Sequence, residues 1–279
     1  MNKFPPFPQD IARIGLLGVA VDENSSYKHG PALAPPKIRD AFFCDSSNLW
    51  TENETYLGAD GIFADAGDIA PAQADMPVET ERAASQLYAA GLKVLAFGGD
   101  HSVTYPLVCA AAKYHPSLSI LHFDAHPDLY DNFGNNPNSH ASPFARIMEA
   151  GLVKRLVQVG VRTMNGHQRE QADRFGVEVL TMQNWRDIFN IRFETPLYLT
   201  FDMDCLDPAF APGISHREPG GLSTREALSV IQSLRANIAA ADLVEFNPTQ
   251  DPLNVTGMVC AKIFKEIVAK MLEGVPVTK

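Results

Sequence analysis

Short apolar runs alternate with helical hydrophobic patterns over nearly the whole chain. Most of the runs are apolar at odd and even positions alike, which is typical of strands buried on both faces of a parallel sheet. This pattern predicts eight strands, at residues 13–21, 61–66, 93–97, 118–123, 155–161, 178–181, 197–202 and 242–246. Between them, apolar residues at helical spacing predict six helices, at residues 79–90, 105–114, 143–150, 166–175, 224–236 and 256–272.

The order of these elements indicates the fold class. Strands that alternate with helices build α/β domains through right-handed crossovers, so we predict a parallel sheet covered by helices. No repeat, low-complexity tract or block of charge divides the chain, and we expect a single domain over residues 1–279. The proline- and glycine-rich segments 30–36 and 132–143 are interpreted as long loops, which are often functional in compact domains. Ser223 followed by Glu226 indicates a capping box at the start of one helix.

The composition limits the possible partners. Of the 279 residues, 46% are hydrophobic, which is enough for a sizeable core. The net charge of −10, with no basic run to offset it, argues against nucleic-acid and anionic-membrane partners. The same charge is compatible with a small cationic substrate.

The cysteines and the N-terminal segment bear on the location. The four cysteines are scattered and lack the spacing of a zinc site, and two of them lie in apolar helical stretches and are interpreted as core residues, which indicates a reducing compartment. The first ten residues contain three prolines and no apolar signal-peptide core. No apolar stretch reaches the length of about 20 residues that spans a bilayer. We therefore expect a cytoplasmic protein with no membrane partner.

Three side chains that can bind a metal ion follow the apolar run 118–121 at alternate positions. They are Asp124, His126 and Asp128. If the run is a strand, its period of two directs these side chains the same way as the chain leaves the sheet. Two carboxylates and an imidazole that converge on one point typically bind a divalent cation.

Other polar side chains follow predicted strands, at the edge where open α/β sheets bind their ligands. His101 follows the third strand, Asp202 and Asp204 end the seventh, and Glu245 lies at the end of the eighth. Each has an ordinary alternative, such as a cap or a turn. Their joint occurrence at strand ends, together with the motif 124–128, favours one common site.

A charge count suggests how many ions this site binds. Four aspartates and two neutral histidines carry four negative charges, which crowding without counter-charge would strongly disfavour. Two divalent cations balance them, and six ligands suit two ions that share carboxylates better than one. Oxygen-rich ligation with two imidazoles suits Mn²⁺ better than Fe, Co, Ni or Zn. Two-metal sites with ions about 3.5–4 Å apart typically activate water for hydrolysis.

Two further side chains complete the predicted site. His140, in the loop after Asp128, is placed to reach the mouth of the cavity and move protons, the alternative being an exposed loop histidine. Glu245 ends an apolar strand, where a carboxylate without a partner is costly. A cationic substrate is its natural partner, and a structural ion pair is the alternative.

Together these motifs resemble the ureohydrolase family of arginases and agmatinases. The similarity is carried by segments 98–102 (GGDHS), 124–128 (DAHPD), 201–213 (FDMDCLDPAFAPG) and 245–248 (EFNP), and it extends from about residue 14 to the C-terminus. The resemblance implies the three-layer arginase fold, with a parallel sheet of about eight strands and helices on both faces. It also implies homo-oligomers, either trimers or hexamers.

The resemblance further implies two Mn²⁺ ions per chain and a role for each ligand. One ion would be held by His101, Asp124, Asp128 and Asp202, and the other by Asp124, His126, Asp202 and Asp204, with Asp124 and Asp202 bridging. His140 would be the proton shuttle, with Asp204 as a second route for the proton. Glu245 would bind the guanidinium group.

Segments 139–148 and 158–162 look most like the plant-type arginases. In the loop before His140 we expect Asn136, Asn138 and Ser139 to bind the α-carboxylate of the substrate, although asparagines also form turns. The expected reaction is hydrolysis of L-arginine to urea and ornithine. The alternatives are agmatine, hydrolysed to urea and putrescine, and another guanidino compound. More distant alternatives are a non-catalytic metal- or ligand-binding module and a single-metal amide deacetylase of the same fold.

Overall fold

The computed structural model describes residues 3–9 and 11–273, and its centre is an eight-stranded sheet. Every pair of neighbouring strands is parallel. The order across the sheet is β2-β1-β3-β8-β7-β4-β5-β6. In chain order, the strands are β1 (Ile14–Val19), β2 (Phe63–Ile69), β3 (Lys93–Phe97), β4 (Ser119–Phe123), β5 (Arg155–Val161), β6 (Glu178–Thr181), β7 (Leu197–Asp202) and β8 (Ile238–Val244).

Helices cover both faces of the sheet. They are α1 (Ala34–Phe42), α2 (Met76–Ala89), α3 (Thr104–Tyr114), α4 (Pro143–Glu149), α5 (Gly166–Phe175), α6 (Thr224–Ser233) and α7 (Val255–Leu272). One apolar core joins the sheet to α1, α6 and α7, and a second joins it to α2, α3, α4 and α5. Within β1, Leu16 belongs to the first core and Leu17 to the second, so alternate side chains serve opposite faces. The predicted three-layer α/β fold is confirmed.

Several predicted elements have different bounds in the structure, α6 and β8 among them, and one α-helix was not predicted. Helix α6 ends at Ser233 and strand β8 begins at Ile238, both earlier than predicted. The small side chains of Ala239–Ala241 show no strand pattern in the sequence, although they lie at the centre of the sheet. Helix α1 starts inside the segment interpreted as a loop. Its Pro35 and Pro36 lie in the first turn, where their missing N–H groups are not needed. The capping box at Ser223 and Glu226 is present.

The topology brings the polar motifs to neighbouring strands. Strands β3, β8, β7 and β4 are adjacent in the middle of the sheet, and their carboxyl ends lie at one edge. The segments that follow these four strands carry His101, Glu245, Asp204 and Asp124. Within the described part of the chain, none of the helices is long and apolar enough to cross a bilayer.

Candidate metal centre

His101 lies among three carboxylates at the edge of the sheet. Its Nδ1 is 3.2 Å from Asp124 Oδ2, 3.0 Å from Asp128 Oδ2 and 3.1 Å from Asp202 Oδ2. All four side chains are buried. Neighbouring donor atoms on an octahedral ion with bonds of about 2.1 Å lie about 3 Å apart, so this spacing is that of ligands around one cation.

The protonation of His101 supports the same interpretation. Its Nε2 lies 3.1 Å from Thr200 Oγ1, which can accept the hydrogen of the ring, and the neutral tautomer of that bond leaves a lone pair on Nδ1. The buried Nδ1 has no hydrogen-bond partner among the described residues. A lone pair that faces three carboxylates is repulsive unless a cation lies between them.

A second group of ligands surrounds His126. Its Nδ1 is 3.3 Å from Asp124 Oδ1 and 3.1 Å from Asp204 Oδ2. Asp124 therefore directs one carboxylate oxygen to each group, as a bridging ligand does. Asp202 directs Oδ2 to His101, and its Oδ1 accepts a hydrogen bond of 2.7 Å from the backbone N–H of Asp204.

The electrostatics show how strongly these groups depend on counter-charge. Burial raises the pKa of Asp202 well above its ordinary value, and the neighbouring Asp204 and Asp124 add to the effect. Burial and Asp124 also raise the pKa of Asp204. Burial would lower the pKa of His126, but Asp204 and Asp124 outweigh it and raise that pKa well above its ordinary value. Without a cation, protons on the histidines and aspartates must compensate for the crowded charge.

His140 and Glu245 form a buried pair beside the aspartates. His140 Nδ1 donates to Glu245 Oε1 at 2.8 Å, and its Nε2 lies 2.8 Å from Ser26 Oγ, which can accept from the protonated ring. Burial lowers the pKa of His140, but Glu245 outweighs it and raises the pKa to about 9. Glu245 has a φ of +62° and also accepts from His101 N–H at 3.0 Å, so its backbone and side chain are both held in place.

A cavity of about 170 Å³ opens onto these groups. The ionisable side chains of its lining include Asp128, Asp202, Asp204, His126, His140 and Glu245. Uncharged groups also line it, among them Tyr130, Phe133, Thr163 and Gln168. No lysine or arginine of the described residues contributes to the lining.

The structure places the predicted contacts of the asparagine-rich loop outside this cavity. Asn136 Nδ2 donates to Asn24 Oδ1 at 2.9 Å, and Asn136 Oδ1 accepts from Asn138 N–H at 2.9 Å. Ser139 is buried and its Oγ accepts from Ala141 N–H at 3.3 Å. These three side chains are not among those that line the cavity, and those of Asn136 and Ser139 make the hydrogen bonds given above instead.

Several residues of the site were not predicted from the sequence. His122 donates to Asp124 from within β4, and its position, two residues before Asp124 and therefore on the same side of the strand, was the available signal. Ser26 and His216 come from distant loops, and His216 packs its ring 5.2 Å from that of His140. Nothing in the local sequence of these two residues indicates a site.

Comparison with known proteins shows a family model, relatives and solved structures that this chain resembles. A model described as "Arginase family" matches residues 12–269. "Arginase 1, mitochondrial" of Arabidopsis thaliana is 44% identical, with 93% of this chain and 81% of that protein aligned. An agmatinase of Proteus mirabilis is 36% identical, with 93% of this chain and 87% of that protein aligned. The structure of an arginase from Medicago truncatula has a TM-score of 0.90 and 40% identity, covering 94% of this chain and 88% of that one.

The predicted cytoplasmic location is wrong. The Arabidopsis relative and a second one, "Arginase 2, chloroplastic/mitochondrial" at 43% identity, are named for organelles. The prediction rested on scattered free cysteines, which distinguish reducing from oxidising surroundings but do not distinguish one reducing compartment from another.

Proposed function

Because the chain belongs to the arginase family and is a ureohydrolase, we propose that it hydrolyses the guanidinium group of L-arginine to urea and ornithine with two Mn²⁺ ions. Arginine is favoured over agmatine because the Arabidopsis arginase is 44% identical and the Proteus agmatinase is 36% identical over a similar share of the chain. The observation that carries the proposal is the buried Nδ1 of His101, which lies 3.0 to 3.2 Å from three carboxylates and has no hydrogen-bond partner among residues 3–9 and 11–273.

The donor set fits two divalent ions. We propose that one ion binds the group around His101 and the other the group around His126, with Asp124 and Asp202 shared. The full set of ligands is His101, Asp124, His126, Asp128, Asp202 and Asp204. When bound, such ions supply Lewis-acid chemistry that makes water a nucleophile near neutral pH.

Glu245 is suited to bind the guanidinium group. One of its carboxylate oxygens, Oε1, is held by His140 and by the N–H of His101. The other, Oε2, has no hydrogen-bond partner among the described residues, and Glu245 lines the cavity. We propose that Oε2 accepts from the substrate, because a charged acceptor pairs well with a planar cation.

His140 is suited to deliver a proton to the departing amine. Its raised pKa, about 9, keeps it protonated near neutral pH, and the Glu245 carboxylate stabilises that form. The Nε2 atom faces Ser26, on the wall of the cavity. Asp204, which lines the same cavity, offers a second route for the proton.

Agmatine is the second candidate substrate, and the residues that line the cavity support it. Arginine differs from agmatine by its α-carboxylate, and no lysine or arginine of the described residues lines the cavity to pair with that group. Neutral donors such as Thr163 and Gln168 would have to bind it. The trimer or hexamer that the resemblance implies stays a prediction, which light scattering tests.

The proposal is tested by urea release from arginine, agmatine and a set of other guanidino compounds, with Mn²⁺ present. We expect arginine to give the largest kcat/KM. Glu245→Gln should abolish turnover, whereas Glu194→Gln, which removes the same charge from an exposed site, should not. Urea from agmatine alone would reassign the substrate, and no urea from any compound would refute the proposed function.

A further inference from the structure

We infer that His122, held by Gln158, positions the carboxylate of Asp124 by a hydrogen bond and is not itself a metal ligand. This inference rests on the proposed two-metal function. It concerns a residue that lies within a strand, whereas the proposed ligands lie at strand ends.

His122 and Gln158 face each other within the sheet. They are register partners on the adjacent strands β4 and β5, so their side chains lie on the same face. Both are completely buried. Gln158 Nε2 lies 2.6 Å from Pro127 O and 3.1 Å from His122 Nδ1, and His122 Nε2 lies 2.7 Å from Asp124 Oδ2.

These contacts determine which nitrogen of His122 carries the hydrogen. The carbonyl of Pro127 can accept but not donate, so the amide nitrogen of Gln158 must face it. The same nitrogen then donates to His122 Nδ1, which makes Nδ1 the acceptor. A neutral imidazole has one N–H, so the hydrogen is on Nε2 and is donated to Asp124.

The ring of His122 is also held from the side. It stacks on Phe144 with ring centroids 3.9 Å apart and an angle of 27° between the planes. Because the ring is fixed at both nitrogens and at one face, its donor has a fixed direction. Asp124 Oδ2 is therefore held towards His101, and Oδ1, which accepts from His126 N–H at 2.6 Å, is held towards the second group.

A direct role as a ligand is the competing possibility. The side chains of His101, His122 and Asp124 offer nitrogen and oxygen atoms close enough to share one ion. Such a role needs a lone pair on His122 Nε2, the atom that carries the hydrogen. Partners of this kind, which orient a ligand from behind, typically affect metal affinity about 10- to 100-fold.

The test compares Mn²⁺ binding by the full chain after removal of bound metal, using isothermal titration calorimetry and electron paramagnetic resonance of the bound ions. His122→Phe keeps the ring and its stacking but removes the donor. His122→Gln can place an amide donor near the same position. Gln158→Met removes the support of His122, and it provides the comparison if His122→Phe does not fold, as judged by circular dichroism.

We expect His122→Phe to weaken Mn²⁺ binding about 10- to 100-fold. When the Mn²⁺ concentration is limiting, the electron paramagnetic resonance signal of two coupled Mn²⁺ ions should be lost. His122→Gln should restore most of the affinity, and Gln158→Met should weaken it in the same direction. Wild-type affinity in His122→Phe would refute the inference. Loss of one bound ion in both His122 variants would also refute it, in favour of a ligand. If the wild type itself bound no Mn²⁺, the proposed function would fail instead.

Discussion

Replacing Glu245 by glutamine should flatten the dependence of stability on pH. The substitution keeps the shape of the side chain but removes the charge that faces His140 Nδ1 at 2.8 Å. Burial then lowers the pKa of His140 with less to oppose it, since Asp100 and Asp128 contribute less than Glu245 does. The pair is buried on both sides, with His140 at 8% and Glu245 at 4% exposure, so solvent screens it little.

The size of the effect follows from the pKa of His140. It is about 9 in the folded protein and 6.5 for an unperturbed histidine. Because the folded value is the higher one, protonated His140 stabilises the protein fully below about pH 6.5 and loses this contribution as the pH rises through about 9. The contribution is up to about 3 kcal/mol, or about 5 °C in the thermal midpoint of a chain of this length. The pKa of Glu245 is lowered by His140, so this carboxylate stays charged throughout the window.

The assay is thermal unfolding between pH 6 and pH 10 in the presence of a chelator. Heat is preferred to chemical denaturants because guanidinium resembles the proposed substrate and urea is the proposed product. Burial and the charge of Glu245 also raise the pKa of Asp100, to about 6, so the difference between wild type and Glu245→Gln reports on the His140–Glu245 pair above about pH 7. We expect that difference to shrink by up to about 5 °C from pH 7 to pH 10. Glu194→Gln should follow the wild type, and a difference for Glu245→Gln that is constant with pH would refute a charged pair.

Three further substitutions test a proposed metal ligand and two contacts that support the site. Asp202→Asn should lower turnover and Mn²⁺ affinity by at least about 100-fold, because it removes a carboxylate beside His101; unchanged urea release would exclude Asp202 as a ligand. Gly99→Ala should lower the thermal midpoint by more than about 5 °C or prevent folding, because a Cβ would lie 1.6 Å from Val21 O; a wild-type midpoint would contradict this close approach. Arg162→Lys should lower the midpoint by about 4 °C, because lysine cannot replace the guanidinium group that donates to Asp204 O at 2.7 Å and Glu218 O at 2.6 Å. A change below about 1 °C would show that these hydrogen bonds do not stabilise the fold.

The strands were predictable because they are buried on both faces. Strands β3, β5, β6 and β7 have the predicted bounds, since their apolar runs end at polar residues or turns. Helix α1 was missed because its prolines suggested a loop, whereas their position in the first turn depends on where the preceding chain enters the helix. The alanines of β8 show no hydrophobic periodicity, and they form a strand because they pair with the strands on either side.

The residues of the proposed site could be chosen from the sequence pattern, but their division into two groups came only from the family resemblance. Alternation directed Asp124, His126 and Asp128 to one point, yet His126 and Asp128 face different groups. Asp128 has a φ of +49°, so the chain has left the extended conformation on which the argument depended. The direction of Asn136 is determined by Asn24, which is 112 residues away in the chain, and no local pattern reports such a contact.

The number of metal ions per chain tests the central claim most directly. The proposed ligands form two groups joined by Asp124, and a single ion would leave His101 or His126 facing carboxylates without a cation between them. The measurement is elemental analysis of the full chain, purified with Mn²⁺ and freed of loosely bound metal, against its protein concentration. We predict about two ions per chain. A ratio near one would contradict the two-metal centre and favour the single-metal chemistry of an amide deacetylase.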